Sequence, residues 1–271
     1  MKQTTAAGMG MAVVFLLLAV LMEGGNPMAF INIPAFLIVI GGTLGAIMAS
    51  SSMAEAMLLP KLMILALMGG KAIEHARGAK QIVSLAEKAR REGLLALESQ
   101  MDEIDDQFVR KGVQLVVDGT DSTVVEAILH SEIDGMAARH ARNAKLFQTL
   151  SGFAPTLGIL GTVMSLVHVL ENLSNPETLG HSIAGAFIAT LYGVGSANLV
   201  FLPISLRLKG MAEEELRYRE MMLAGVLGLQ AGDNPRVLAE RLETFLEPTE
   251  RGEGDEGEGA DRGDASLKEA A

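Results

Sequence analysis

Four stretches of this sequence are long and apolar enough to cross a lipid bilayer, and none of them contains Asp, Glu, Lys or Arg. They run from Ala6 to Met22, Phe30 to Ala49, Leu146 to Leu170 and Ile183 to Leu206. A spanning helix needs about 20 mostly apolar residues. The bilayer core offers no water to the backbone, so each stretch must satisfy its own N–H and C=O groups as a helix. No alternating strand pattern occurs elsewhere. The expected class is all-α: a multi-pass membrane protein with four transmembrane helices and a helical cytoplasmic domain. Ala56–Met68 is apolar but shorter and is interrupted by Pro60 and Lys61, which suits an interfacial helix. Glu23-Gly24-Gly25-Asn26-Pro27 follows the first stretch in place of a small-x-small cleavage site, so that stretch reads as a span and not as a signal peptide.

The cations fix an orientation. Of 22 Lys and Arg residues, one is Lys2, 12 lie in 50–146 and nine follow Leu206. The loops Glu23–Ala29 and Glu171–Ser182 have none. Lys and Arg favour the cytoplasmic side. The loops are therefore expected in the periplasm, and both termini and the 50–146 region in the cytoplasm. The resulting organisation is spans one and two in 1–49, a cytoplasmic helical domain in 50–145, spans three and four in 146–206, C-terminal cytoplasmic helices in 207–247, and an acidic tail in 248–271. The tail is Gly, Glu and Asp with almost nothing apolar, and is expected to be disordered. Thr123 and Glu126 have capping-box spacing for a helix running into span three. Asn234 and Pro235 suit the cap and first position of a helix presenting Leu238, Leu242, Phe245 and Leu246.

Several functions are excluded or disfavoured. The net charge of −11 argues against nucleic acid as a partner. The absence of Cys removes disulfides, thiolate zinc sites and thiol nucleophiles. No HExxH, nucleophile elbow or P-loop occurs, so the chain does not read as an enzyme and no cofactor is expected.

What the membrane segments retain is hydroxyl. Folding spans three and four about Asn175–Pro176 brings Thr162 and Thr190 to one depth, about 12–14 Å from the periplasmic end. Pro155 and Pro203 are expected to form a second level nearer the cytoplasm. Pro155 frees a carbonyl near Ser151. Gly41 and Gly45, Gly158 and Gly161, and Gly193 and Gly195 permit close helix approach, as in a packed oligomer. The lining is polar but has no titratable carrier, so a conducting protein of this kind needs a carboxylate from another chain.

The runs APTLGILGTVMSLVHVLENLSNPETLG and AGAFIATLYGVGSANLVFLPISLRLK resemble the third and fourth spans of the MotA and PomA flagellar stator proteins. RREGLLALE and LGLQAGDNPRVLAERLETFL are similar to that family as well, and the likeness reaches to about Leu246. The resemblance implies an ion-conducting stator subunit: a pentamer of this chain around a dimer of the single-span MotB, whose membrane aspartate binds the ion and whose cycle turns the rotor protein FliG. By motif position, Pro155 and Pro203 correspond to prolines coupling ion flow to shape change. Thr190 corresponds to a hydroxyl near the partner aspartate. Arg90 and Glu98 correspond to rotor-facing charges, and Arg91 fits the same alignment shifted by one residue. Leu94, Leu95 and Leu97 between them are expected to pack inward. Thr at the position of Thr162 is usual in sodium-driven members and Ala is common in proton-driven ones, so the coupling ion is proton or sodium. The related ExbB/TolQ energisers of outer-membrane processes have three spans and an external N-terminus, unlike the pattern here.

Reporter fusions test the orientation. Fusions after Ala49 and Leu206 are expected to give cytoplasmic signals, and one near Asn175 a periplasmic signal. A periplasmic signal from residue 100 would sink the assignment.

Overall fold

In a computed structural model, residues 4–70, 73–171 and 176–248 are described. Among these residues the chain is helical and has no strand. The helices are α1 (Thr4–Met22), α2 (Ile33–Ser50), α3 (Met53–Met68), α4 (His75–Glu92), α5 (Gln107–Val117), α6 (Ser122–Glu171), α7 (Pro176–Ser196), α8 (Leu202–Ala231) and α9 (Pro235–Glu243). Four helices are long and apolar enough to cross a membrane: α1, α2, α6 and the continuous helix formed by α7 and α8. The acidic tail, from residue 249 on, and Asn175 lie outside the described residues.

The chain divides into two compact units, Met1–Lys71 with Ala138–Ala212 and Ala72–Ala137 with Glu213–Ala271. In the first unit, Ile47, Leu59, Phe147, Leu150 and Ile204 form one buried cluster, and Val39, Ile188 and Ala189 another. α1 buries none of its residues, so its apolar surface is left for lipid or another chain. Pro60 interrupts the apolar run but not the helix. α3 continues through it, started by a capping box in which Ser52 and Glu55 satisfy each other's backbone N–H. Span four begins earlier than its apolar run, because α7 starts at Pro176 and takes in most of the expected loop.

Two π-helical turns interrupt the spans, at Leu37–Gly41 in α2 and at Ala197–Phe201 between α7 and α8. The second has a local cause. Pro203 lacks an N–H and its ring crowds the carbonyl four residues earlier. The wider turn just before it, closed by Leu202 N–H to Ala197 O, relieves that conflict. Pro155 lies within α6, which continues through it.

The second unit has an aliphatic core of Ile82, Leu97, Ile104, Val113, Leu129, Met221, Val226 and Leu238. Its polar anchor is Arg219. Its Nη1 donates to both carboxylate oxygens of Asp106, at 2.6 and 2.8 Å, and the guanidinium lies 5.2 Å from the Phe108 ring centroid. Asp106 also caps α5, accepting from Phe108 N and Val109 N. One carboxylate thus starts a helix and holds α8 against it, and both partners are largely shielded from water. The start of α6 corrects the sequence reading. Asp121, not Thr123, is the cap: it accepts from Thr123 N at 2.9 Å and Thr123 Oγ1 at 2.6 Å. Those bonds hold the Asp121 carboxyl below its ordinary range. Glu126 instead lies 3.9 Å from His130. At α9, Asn234 accepts from Arg236 N and Pro235 takes the first position, as the sequence indicates.

Burial pushes the Tyr218 phenol up from 10.0 to about 12, with the Asp106 charge acting in the same direction. A raised folded-state pKa means that the native protein holds the proton more tightly. The associated stability is complete below pH 10 and is lost as pH rises through about 12. The chain has only two tyrosines and no Trp, so phenolate absorbance resolves the titration. Tyr218→Phe is expected to remove the late component and the stability loss attached to it. An unchanged titration curve would refute the assignment.

Candidate functional site

The geometry of the third and fourth spans starts from glycine. A Cβ on Gly193 would lie 2.6 Å from Ala154 O and 2.9 Å from Gly158 Cα. One on Gly161 would lie 2.9 Å from Ala189 Cβ. Only hydrogen fits there, so α6 and α7 meet backbone to backbone. Gly41, Gly45 and Gly195 face open space. Of the three glycine pairs picked out in the sequence, this seam therefore uses Gly158, Gly161 and Gly193.

The close approach brings Thr162 and Thr190 together. Their Oγ1 atoms are 2.5 Å apart. Thr162 Oγ1 also lies 3.0 Å from Gly158 O in its own helix and 3.1 Å from Ala186 O in the other. The back-bond and the cross-helix contact are both present. Two hydroxyls and two carbonyls thus form a node with more acceptor sites than protons. Both threonines are half-buried. Such an oxygen set can accept a hard cation or pass a proton.

The prolines do not share a level. Gly158 faces Gly193, and Ser205 Oγ donates to Ala144 O at 2.8 Å. On that register Pro155 lies opposite the region of Ser196, and Pro203 opposite the region of Gln148. They are separated by about two helical turns, ~10 Å. The turn about Asn175–Pro176 that levels Thr162 with Thr190 sets Pro155 and Pro203 apart by the same residue count, so the expectation of a shared level did not follow from it.

Three further polar contacts were not picked out from the sequence. Tyr192 OH donates to Phe30 O at 2.5 Å and accepts from Asn32 N at 3.2 Å, so it ties span four to the start of span two. A lone tyrosine in an aliphatic span was the available signal. Thr43, fully buried in α2, donates to Val39 O at 2.5 Å within the π-turn region. Ser205 makes the bond to Ala144 given above.

In the second unit, α4 ends at Gly93, whose φ of +87° suits glycine and turns the chain into a 3-10 stretch, Leu94–Glu103. Arg90 and Glu98 lie on either side of this turn, both exposed. Leu97 is fully buried and Leu94 partly so, but Leu95 is 74% exposed, contrary to the inward packing expected of all three. The 3-10 geometry advances about 120° per residue, which turns Leu95 away from the core that receives Leu97.

A family model described as the MotA/TolQ/ExbB proton channel family matches residues 100–221. Motility protein A of Bacillus subtilis (strain 168) is 33% identical over 251 residues, covering 93% of each chain. Chemotaxis protein PomA of Vibrio alginolyticus is 34% identical over 93% of this chain and 98% of its own. A chain of the flagellar MotAB stator complex from Bacillus subtilis superposes with a TM-score of 0.86 at 32% identity, covering 93% of this chain and 100% of that one.

The seam predicts which glycine matters. Gly193→Ala is expected to cost about 1–3 kcal/mol through overpacking. Gly195→Ala, facing open space, is expected to stay within about 0.5 kcal/mol. Thermal stability of the detergent-purified protein measures both, and equal effects would refute close packing at Gly193.

Proposed function

The chain belongs to the MotA/TolQ/ExbB proton channel family and is a flagellar stator subunit of the motility protein A kind; from that membership we propose how its residues divide the work. The chain assembles as a pentamer around a dimer of a MotB-type single-span subunit, in the inner membrane with both termini in the cytoplasm. It performs no covalent chemistry and needs no cofactor. The 50–145 region and the helices of 207–247 face the cytoplasm and the rotor.

One observation carries the proposal: the only described contact between hydroxyls of spans three and four is Thr162 with Thr190, in spans free of Asp, Glu, Lys and Arg. The node supplies oxygens and lacks a titratable group. A partner aspartate placed against it would hold the ion, proton or sodium. The threonine oxygens would replace part of the ion's hydration shell or relay its proton. Pro155 and Pro203 lie at two heights below the node. Each removes a helix hydrogen bond, so the helices bend there at lower cost as ion occupancy changes. The movement reaches Arg90 and Glu98, exposed charges suited to a rotor contact that forms and releases repeatedly. The spacing of spans and the family relatives favour this reading over an ExbB/TolQ-like energiser.

Thr190→Val keeps the side-chain shape and removes the hydroxyl. Motility is expected to fall strongly with the complex still assembled, whereas Thr190→Ser retains part of it. Swimming speed against sodium at fixed pH, in wild type and Thr162→Ala, identifies the coupling ion. Normal swimming by Thr190→Val would make the node a packing contact.

A further inference from the structure

The glycine seam lets α6 and α7 approach, but a glycine offers no side chain to fix how α7 is turned about its own axis. Thr190 depends on that turn. A threonine oxygen stands about 4–5 Å from a helix axis, so a rotation of about 20° carries it roughly 1.5 Å. That displacement takes Thr190 Oγ1 out of hydrogen-bond range of Thr162. Something outside the seam must hold the rotation of α7.

Tyr192 lies two residues beyond Thr190 and about 200° round the helix. Its OH donates to Phe30 O at 2.5 Å and accepts from Asn32 N at 3.2 Å. Both partners are main-chain groups at the break between the 3-10 turn Pro27–Phe30 and α2. Asn32 is itself fixed there, because its Oδ1 caps α2 by accepting from Ala35 N at 3.0 Å. Two turns before Tyr192, α7 already runs against the same break: a Cβ on Gly185 would lie 3.2 Å from Asn32 Nδ2. Packing alone does not account for the phenol. A Phe would keep the edge-on contact with Phe36, whose ring centroid is 6.4 Å away. The OH adds one bond given and one received, each with its own direction. No water inside a bilayer replaces either.

We propose that Tyr192 is a positioning residue for the hydroxyl node: through Phe30 and Asn32 it sets the rotation of α7 and so holds Thr190 Oγ1 against Thr162. The non-helical break at the start of span two is then the fixed point from which the node is registered. The consequence for ion binding rests on the reading of Thr162 and Thr190 as oxygens for the ion; the positioning of Thr190 does not.

Two measurements separate these, both on the full-length chain assembled with its single-span partner. The variant is Tyr192→Phe, which keeps the ring and removes the OH. In the first, Thr162→Cys with Thr190→Cys puts two thiols in a chain that otherwise has none. Their disulfide is formed with copper phenanthroline, and the remaining thiols are counted by the mass added with a maleimide. Disulfide geometry is narrow, so Tyr192→Phe is expected to slow closure about fivefold. In the second, both threonines are native and swimming speed is followed against ion concentration. The ion is sodium at fixed pH, or the proton where speed is indifferent to sodium. The half-saturating concentration is expected to rise about fivefold, while the speed at saturation falls much less. An unchanged rate of closure overturns the positioning of Thr190. Slowed closure with an unmoved half-saturating concentration overturns the reading of the node as an ion site. A speed lowered by one factor at every ion concentration shows a structural loss and overturns the proposal. If Tyr192→Phe does not copurify with the partner, Phe36→Leu loosens the ring and leaves the OH in place. Closure is then expected to slow about twofold, and an unchanged rate overturns the proposal.

Discussion

The arrangement depends on the contact between two helices that have no water to drive them together. Within a bilayer, lipid and leucine are equally apolar, so helices associate through close packing and polar contacts. Here Gly158, Gly161 and Gly193 allow that approach. The hydroxyl node follows from it: Thr162 reaches Ala186 O in the opposite helix because the glycines admit the backbone. A bulkier seam would leave each threonine bonded only within its own helix, which is the ordinary fate of an intramembrane hydroxyl.

Around that seam the spans differ in their freedom to change shape. Pro203 sits beside a π-helical turn and Pro155 within a helix that continues through it, at separate heights. A second π-helical turn lies in α2, next to the buried Thr43. Tyr192 bridges α7 to the chain entering α2. The first unit thus combines a tightly packed helix pair with several places where helix hydrogen bonding is already irregular. The second unit is built differently. It has an aliphatic core anchored by one shared carboxylate, Asp106, and it carries the exposed Arg90, Leu95 and Glu98.

Much of this was legible in the residues. Long uncharged apolar runs admit only helices in a bilayer. The cap at Asn234–Pro235 was readable because capping is local chemistry. The cap at Asp121 was misread because Thr123 two residues on fits the same motif, and only the backbone shows which side chain meets the free N–H groups. Leu95 was misread because all three leucines were assigned to the core as apolar, whereas the 3-10 stretch turns Leu95 away from the side that buries Leu97.

The sequence by itself determined the helical class, the number of apolar runs, the absence of a mid-membrane carboxylate in this chain, and the common depth of Thr162 and Thr190. These follow from composition, period and a fixed rise per residue. Only the tertiary structure decided which glycines face a neighbour, that Tyr192 reaches Phe30, and that Gln230 reaches Thr120. Each of those depends on the stagger or rotation of one helix against another, set by side chains far apart in the chain. A shift of one residue along a helix rotates its face by about 100°, so periodicity alone cannot fix it.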